Sequence, residues 1–388
     1  LLSGQYTPRH EVYNVGTGPR GNAKHRKLLH IPGTSTLRED IVTWAHCIQK
    51  AGYKTATMGK WHLSKDPLPY GFDVNVGGTH SGGPPRGYFS PHGSAPGLQD
   101  SPQGEYVTDR LSDEAIKFIG ENKGNNWFLY LTHFAVHTPI QAKKEDIAKF
   151  QAKKPGKLHS HAVMAGMIKS VDDGVGRIVA ALEEMKLTDN TAIFFFSDNG
   201  GLSTLRGPGP GCNSPLRAGK GWLYEGGVRE PTIIRAPGVT KAGSSSDEPV
   251  VSMDFFPTML HLAGLPLKPK LHVDGRSLMP ELKGGAGKAR ALYWHYPHYH
   301  GSTWKPGSSI RDGDWKLIAF YHYDKVELYN LNDDPSEKKD LSKSNPSKTK
   351  EMEGKLLAWQ KRMEAKMPVP NPNYDPQASV KKRKPRKK

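Results

Sequence analysis

Three times along the chain, a helical stripe of apolar residues is followed by a short apolar run that stops at polar residues able to do chemistry. Across 37–50, Ile41, Trp44, Ala45 and Ile48 recur at helical spacing, and the run 54–58 then leads into Gly59-Lys60-Trp61-His62-Leu63. A second helix, predicted over 109–121, precedes the run 127–131, which ends in Thr132-His133 and, four residues on, His137-Thr138-Pro139. A third, over 161–185, sets Met164, Met167, Val171, Val175 and Ile178 on one stripe and leads into 192–196. That last run reads as a buried parallel strand and ends in Ser197-Asp198-Asn199-Gly200-Gly201, although D-N-G-G alone is also a turn sequence. Helices alternating with such strands predict an α/β fold, a mainly parallel sheet with helices on both faces. The polar tips should gather along one edge, where open α/β sheets bind ligands.

The remaining segments have other textures. Residues 67–103 are rich in Gly, Pro, Ser and His and read as a surface excursion that lines a site more than it builds a core. After a helix over 253–262 and a Gly/Pro/Lys-rich linker over 265–289, short strands take over, with Asp312-Gly313-Asp314 as a hairpin turn. One more helix is expected around 350–366. The expected organisation is a catalytic α/β domain over 1–290, a small subdomain with an antiparallel sheet over 291–370, and a basic disordered tail over 371–388.

Composition narrows the partners. Of the +17 formal charge of the 388 residues, seven units sit in 381–388, so the body is basic without its tail and favours anionic substrates. A mean hydropathy of −0.64 and no long apolar run argue against a membrane span. Two cysteines imply no disulfide framework; Cys47 belongs to an apolar helix and Cys212 reads as a loop thiol. No feature fixes the oligomeric state.

Lys60, His62, His137, Asp198, Asn199 and Lys220, with His133 as a possible addition, all fall at strand ends or in glycine-flanked loops. Together they would make a cationic hollow around a hard divalent cation such as Ca²⁺. Such a hollow suits a tetrahedral oxyanion ester, whose non-reacting oxygens the metal and ammonium groups hold while histidines move protons. Hydrolysis of a sulfate or phosphate ester is the economical reading.

G-K-W-H-L at 59–63, H-T-P at 137–139, S-D-N-G-G at 197–201, A-G-K-G at 218–221 and Y-E-G-G-V-R-E-P at 224–231 closely resemble the type I sulfatases, including arylsulfatases, in order and spacing. D-G-R-S-L at 274–278, R-D-G-D-W-K-L and E-L-Y-N-L extend the resemblance over about residues 1–345. It implies an alkaline-phosphatase-like fold and a calcium-bound formylglycine, made from Cys or Ser in C/S-x-P-x-R, whose hydrate attacks sulfur. Asp198 and Asn199 would be calcium ligands. Lys60 would hold the formylglycine hydroxyl, His62 would take its proton, and His137 and Lys220 would bind the sulfate and serve the leaving oxygen. His298 and His300, in Y-W-H-Y-P-H-Y-H, would line the substrate pocket. The resemblance also implies a periplasmic or secreted location and a sulfated small molecule or glycan as partner; nucleic acid is not expected. Rival readings are a phosphatase or phosphonate hydrolase of the same fold and a polyanion-binding protein using the basic tail.

Departures from the family pattern bear on activity. L-L-S-G-Q-Y-T-P-R at 1–9 resembles the downstream half of the family signature, so the nucleophile and an acidic pair are expected before Leu1, along with an N-terminal strand. C-N-S-P-L-R at 212–217 is one residue too long to replace it. These residues alone are therefore expected not to turn over a sulfate ester; release of product above blank from a chromogenic aryl sulfate with calcium would refute that.

Overall fold

The computed structural model describes residues 1–203 and 210–378. Its centre is a parallel three-stranded sheet in the order β2-β1-β3, with β1 at Lys54–Gly59, β2 at Val74–Val76 and β3 at Trp127–Thr132. Strand alternation explains why both faces are covered. Phe128 and Tyr130 of β3 point to one core, where Trp44, Phe72, Phe255, Phe256 and Leu260 pack. Ala56 and Met58 of β1 and Leu129 of β3 point to the other, against Leu111, Phe118 and Met167 of the helices Val107–Glu121 and Ala162–Glu184. This is the mixed α/β arrangement the sequence predicts, followed by an antiparallel sheet of four strands, β6 Leu292–Tyr296, β7 Gly307–Asp312, β8 Trp315–Phe320 and β9 Lys325–Asn330.

Four expectations are corrected. The strand β4, Ile193–Phe196, is hydrogen-bonded antiparallel to β5, Thr232–Arg235, rather than parallel within the central sheet, and is only partly buried. A cavity of about 580 Å³ lies beside it, lined by Tyr130 of β3, Phe196 of β4 and Thr232 of β5 and reaching Asp198 and Glu230. The first helix spans only Trp44–Lys50, because Thr43 caps it: its hydroxyl accepts from the His46 amide while the His46 ring accepts from the Thr43 amide. Leu37 and Ile41 are nonetheless buried in the core from a loop. Within 67–103, Phe72, Val76, Tyr88 and Leu98 are core residues, and 74–76 form β2. Their spacing follows neither helix nor strand over any length, so their burial is invisible to periodicity.

The last expectation to change concerns 371–378, placed in a disordered tail from sequence. Asn371 donates from its side-chain amide to the carbonyls of Ala23 and Arg26, and the Asp375 amide donates to the Lys24 carbonyl, so this segment is fastened to residues 23–28. The remainder of that tail, 379–388, lies outside the described residues.

A buried ion cluster joins the two sheets' territories. Lys316 of β8 has no exposed surface, and its ammonium lies 2.8 Å from Glu225 Oε1 and 3.0 Å from Glu337 Oε1. Glu225 also faces Arg311 at 3.6 Å, and Glu337 Oε2 accepts from the Glu225 backbone amide at 2.6 Å. Removing the ammonium would leave two carboxylates without their compensating charge in the interior. Lys316→Met is expected to cost about 3–5 kcal/mol of stability; urea unfolding with a loss under about 1 kcal/mol would contradict this account.

Candidate active site

Lys60 and His62 flank Trp61, whose ring is buried against Tyr70 and Phe72 at centroid distances of 5.3 and 5.9 Å and whose indole donates to Ser64 Oγ at 2.7 Å. Anchoring the middle residue fixes its two neighbours. Gly59 turns at φ +104°, and a Cβ there would lie 1.9 Å from the Thr132 carbonyl oxygen, so only glycine lets β1 and β3 meet as they approach the site. His62 itself adopts φ 61°, a left-handed conformation uncommon for residues other than glycine, and its amide donates to the Thr79 carbonyl.

His137 is held by its own turn. Its amide donates to the Phe134 carbonyl, and its Nδ1 lies 2.8 Å from the Thr138 carbonyl oxygen. A carbonyl only accepts, so Nδ1 carries the proton and the neutral ring presents Nε2 as an acceptor. Lys220 sits in a loop whose backbone pairs with the end of β4: its amide donates to the Gly201 carbonyl, and the Gly200 amide to that of Gly227. Arg217 in the same loop stacks on Tyr224 at 3.9 Å and donates to the Glu337 carbonyl, while Glu225 enters the buried ion cluster. The C-terminal sheet thereby sets the position of the loop lysine.

The electrostatics show which of these groups share one place. Burial lowers the proton affinity of Lys60, the ammonium of Lys220 lowers it further, and Asp198 opposes both. Burial and the charges of Lys60, His80, His137 and Lys220 bring His62 down to about 4. His137 is lowered by burial, with Lys220 and Lys60 adding to it against its carbonyl contact and Asp198. The structure therefore brings together Lys60, His62, His137, Lys220 and Asp198, with Asn199 next to Asp198.

His300 joins them from the connection between β6 and β7. A Cβ at Gly221 would lie 2.1 Å from its Nδ1, and burial, Arg20 and Lys220 bring its ring to about 4. His298 does not take the place expected of a substrate contact: it is 2% exposed, packs against Tyr13 and His30, and has Nε2 3.0 Å from the Ile31 carbonyl oxygen. In an extended strand residues two apart would share a face, but 298 and 300 lie beyond the end of β6 in a bent segment, where that rule lapses. His133 is also apart: among the described residues neither ring nitrogen has a hydrogen-bond partner, and burial alone lowers it to about 4.

Sequence reasoning missed His80, whose ring lies 5.8 Å from that of His62, and Glu230. His80 sits in G-G-T-H-S-G-G, where glycine density was the one available signal. Burial and Asp198 push Glu230 up to about 8, and its buried Oε1 has no hydrogen-bond partner among the described residues.

Residues 1–265 match the family description Sulfatase, and 218–364 match N-sulphoglucosamine sulphohydrolase, C-terminal. The chain belongs to the sulfatase family. That is a family of sulfuric ester hydrolases. A sulfatase of Formosa agariphila is 31% identical, covering 92% of this chain and 77% of that protein. Human N-acetylgalactosamine-6-sulfatase is 29% identical, with 78% of this chain matching 58% of its length. Human steryl-sulfatase is 31% identical over 61% of this chain, which spans 44% of that relative. The crystal structure of Ps i-CgsB superposes with a TM-score of 0.73 at 29% identity, covering 92% of this chain and 80% of the other. The sulfatase fold is thus alkaline-phosphatase-like, with a parallel sheet and a small antiparallel one. A phosphonate monoester hydrolase from Silicibacter pomeroyi, 21% identical over 93% of this chain and 84% of its own, shares the fold alone with a TM-score of 0.61.

The lowered histidines give a pH dependence with a definite sign. His62, His133 and His300 bind protons less readily folded, at about 4, than in the unfolded chain at about 6.5. Between those values the unfolded chain carries more protons, so stability is full above pH ~6.5 and falls as the pH drops towards 4. Urea midpoints at pH 7 and pH 5 should differ in that direction, and imidazole NMR should place His62 near 4, moving upward in Lys60→Met. A His62 midpoint near 6.5 in the unaltered chain would contradict the shared site.

Proposed function

We propose that the cationic cup binds the sulfate ester of a sugar for hydrolysis. The carrying observation is the clustering of Lys60, Lys220, His62 and His137 about one carboxylate, Asp198. On top of burial, Lys220 makes Lys60, His62 and His137 less willing to be charged, and Lys60 does the same to both histidines. A sulfate relieves all of them at once, because its oxygens supply the negative charge the cup lacks. The basic body and the complex of Ps i-CgsB with k-i-k-neocarrahexaose, at 30% identity, support a sulfated sugar over a simple aryl ester.

Calcium is the metal this reading calls for. Asp198 and Asn199 offer hard oxygens, and burial and the neighbouring Asp198 carboxylate both disfavour ionisation of Glu230, a penalty that a bound cation would relieve. They fit as part of a shell of about six to eight oxygens. Among the described residues no group of three or more His, Cys, Asp or Glu stands ready to hold an ion unaided. Calcium would polarise the sulfate oxygens, and a formylglycine hydrate would supply the family's nucleophile.

The chain's own residues then divide the work. Lys60 holds an oxygen at the base of the cup. His62, kept neutral by burial and its cationic neighbours, accepts a proton from a hydroxyl. Lys220 and the Nε2 side of His137 meet the sulfate and the charge that develops on the leaving oxygen.

These 388 residues carry no C/S-x-P-x-R segment, so the reading predicts binding of a sulfate ester without turnover. Calorimetric titration with N-acetylglucosamine 6-sulfate in calcium should show binding that weakens about tenfold in Lys60→Met and in Lys220→Met, as loss of a charge-assisted contact implies. Equal affinity in all three proteins, or tighter binding of the 6-phosphate sugar, would overturn it.

A further inference from the structure

Beyond the cup, one cation stands beside the site with no carboxylate to answer it. Arg20 is exposed and among the described residues forms no ion pair. Its guanidinium nevertheless has a defined neighbour: a Cβ built on Gly301 would lie 3.3 Å from Arg20 Nη1. Gly301 follows His300, whose ring packs against Gly221, and Gly221 follows Lys220. Arg20, His300 and Lys220 therefore form one contiguous series running outward from the cup. The same adjacency appears in their charges, since Arg20 and Lys220 both add to the effect of burial in lowering His300.

The loop that carries Arg20 is held in place. Arg26 Nη1 donates to the backbone carbonyls of Arg20 and Gly21 at 3.1 and 2.9 Å, and the Asn22 side chain accepts from the Lys24 amide. Asn371 binds the carbonyls on either side of the following turn. An exposed arginine on a loop fastened at its base is pre-positioned without being neutralised.

His300 faces this arginine with one ring nitrogen already committed, its Nδ1 lying 2.8 Å from Ser302 Oγ. Among the described residues its Nε2 has no partner. Two aromatic rings adjoin: Tyr296, centred 5.9 Å from His300 and within the field of Arg20, and Trp222, whose indole donates to the Ser302 carbonyl at 2.9 Å. A guanidinium and an imidazole beside aromatic faces suit an anionic sugar unit, the charge held by the fork and the ring by stacking.

We propose that Arg20 and His300 form a second anion subsite, which receives a sulfate or carboxylate on the sugar neighbouring the one whose ester enters the cup. The proposal rests on the sulfated-sugar reading above and makes the substrate a polyanionic chain rather than a monosulfated unit. Arg20 is then a specificity-determining residue, since it acts on a group away from the reacting ester.

The test is the ratio of affinities of the unaltered chain for a disulfated disaccharide and for a monosulfated one, measured by calorimetry at fixed ionic strength. In Arg20→Ala the preference for the disulfated sugar should fall about tenfold, the loss of one charge-assisted contact. Arg20→Lys should retain part of it and Arg20→Glu should abolish it. An unchanged ratio in Arg20→Ala, with Lys220→Met weakening both sugars, would overturn the subsite and leave the cup standing. Failure of Lys220→Met to weaken either sugar would overturn both. Carboxylated and sulfated second sugars, compared in the same titration, identify which anion the subsite takes.

Discussion

A single buried ammonium, that of Lys316, ties the loop bearing Lys220 to the C-terminal sheet. It holds Glu225 and Glu337 where water does not reach, at 2.8 and 3.0 Å. Glu225 opens the short helix Glu225–Val228 directly after the lysine loop, and Glu337 caps that helix by accepting its first amide. Burial works to raise both carboxyls, and Lys316 opposes it in both. Glu225, which also has Arg311, ends below the usual range, while Glu337 ends above it. Such a cluster adds little net stability over an apolar core, but its geometry admits one arrangement. The C-terminal sheet therefore works as the scaffold for one wall of the site.

That rigidity matters because the site is electrostatically unfavourable on its own. Burial weakens the hold of Lys60, His62 and His137 on a proton, Lys220 weakens all three further, Lys60 does the same to both histidines, and Asp198 opposes this at Lys60 and His137. Flexible lysines would swing apart into water. Here Trp61 is locked into the core between Lys60 and His62, Gly59 lets β1 press against β3, and the Gly200 and Gly201 backbone binds the lysine loop. The repulsion is retained in the folded state, and the negative charge of a sulfate ester would offset it. Preorganised charge of this kind is worth more to a reacting ester than charge that must be gathered at the moment of reaction.

Much of this was legible in the residue order. The strands at 54–59 and 127–132, the long helix after 161 and the hairpin at 312–314 follow from local periodicity and turn chemistry, which side chains impose within a few residues. Lys60, His62, His137, Asp198 and Lys220 were visible because each ends an apolar run or sits among glycines. Residues 67–103 were not, since Tyr88 and Leu98 are buried singly from a loop and leave no repeating pattern. Nor was His80, an exposed histidine in a glycine-rich turn until its ring is found 5.8 Å from His62.

The sequence by itself determined the α/β alternation, the antiparallel end of the chain and the chemical types at the site, because these depend on neighbours one turn or one strand away. Tertiary structure alone decided that β4 runs antiparallel to β5, that His298 turns into the core while His300 reaches Lys220, and that Arg20 arrives beside them. Those outcomes depend on which distant surfaces meet, on hydrogen bonds such as that between His298 and the Ile31 carbonyl, and on charges separated by hundreds of residues. No local pattern of apolar and polar positions records contacts of that range.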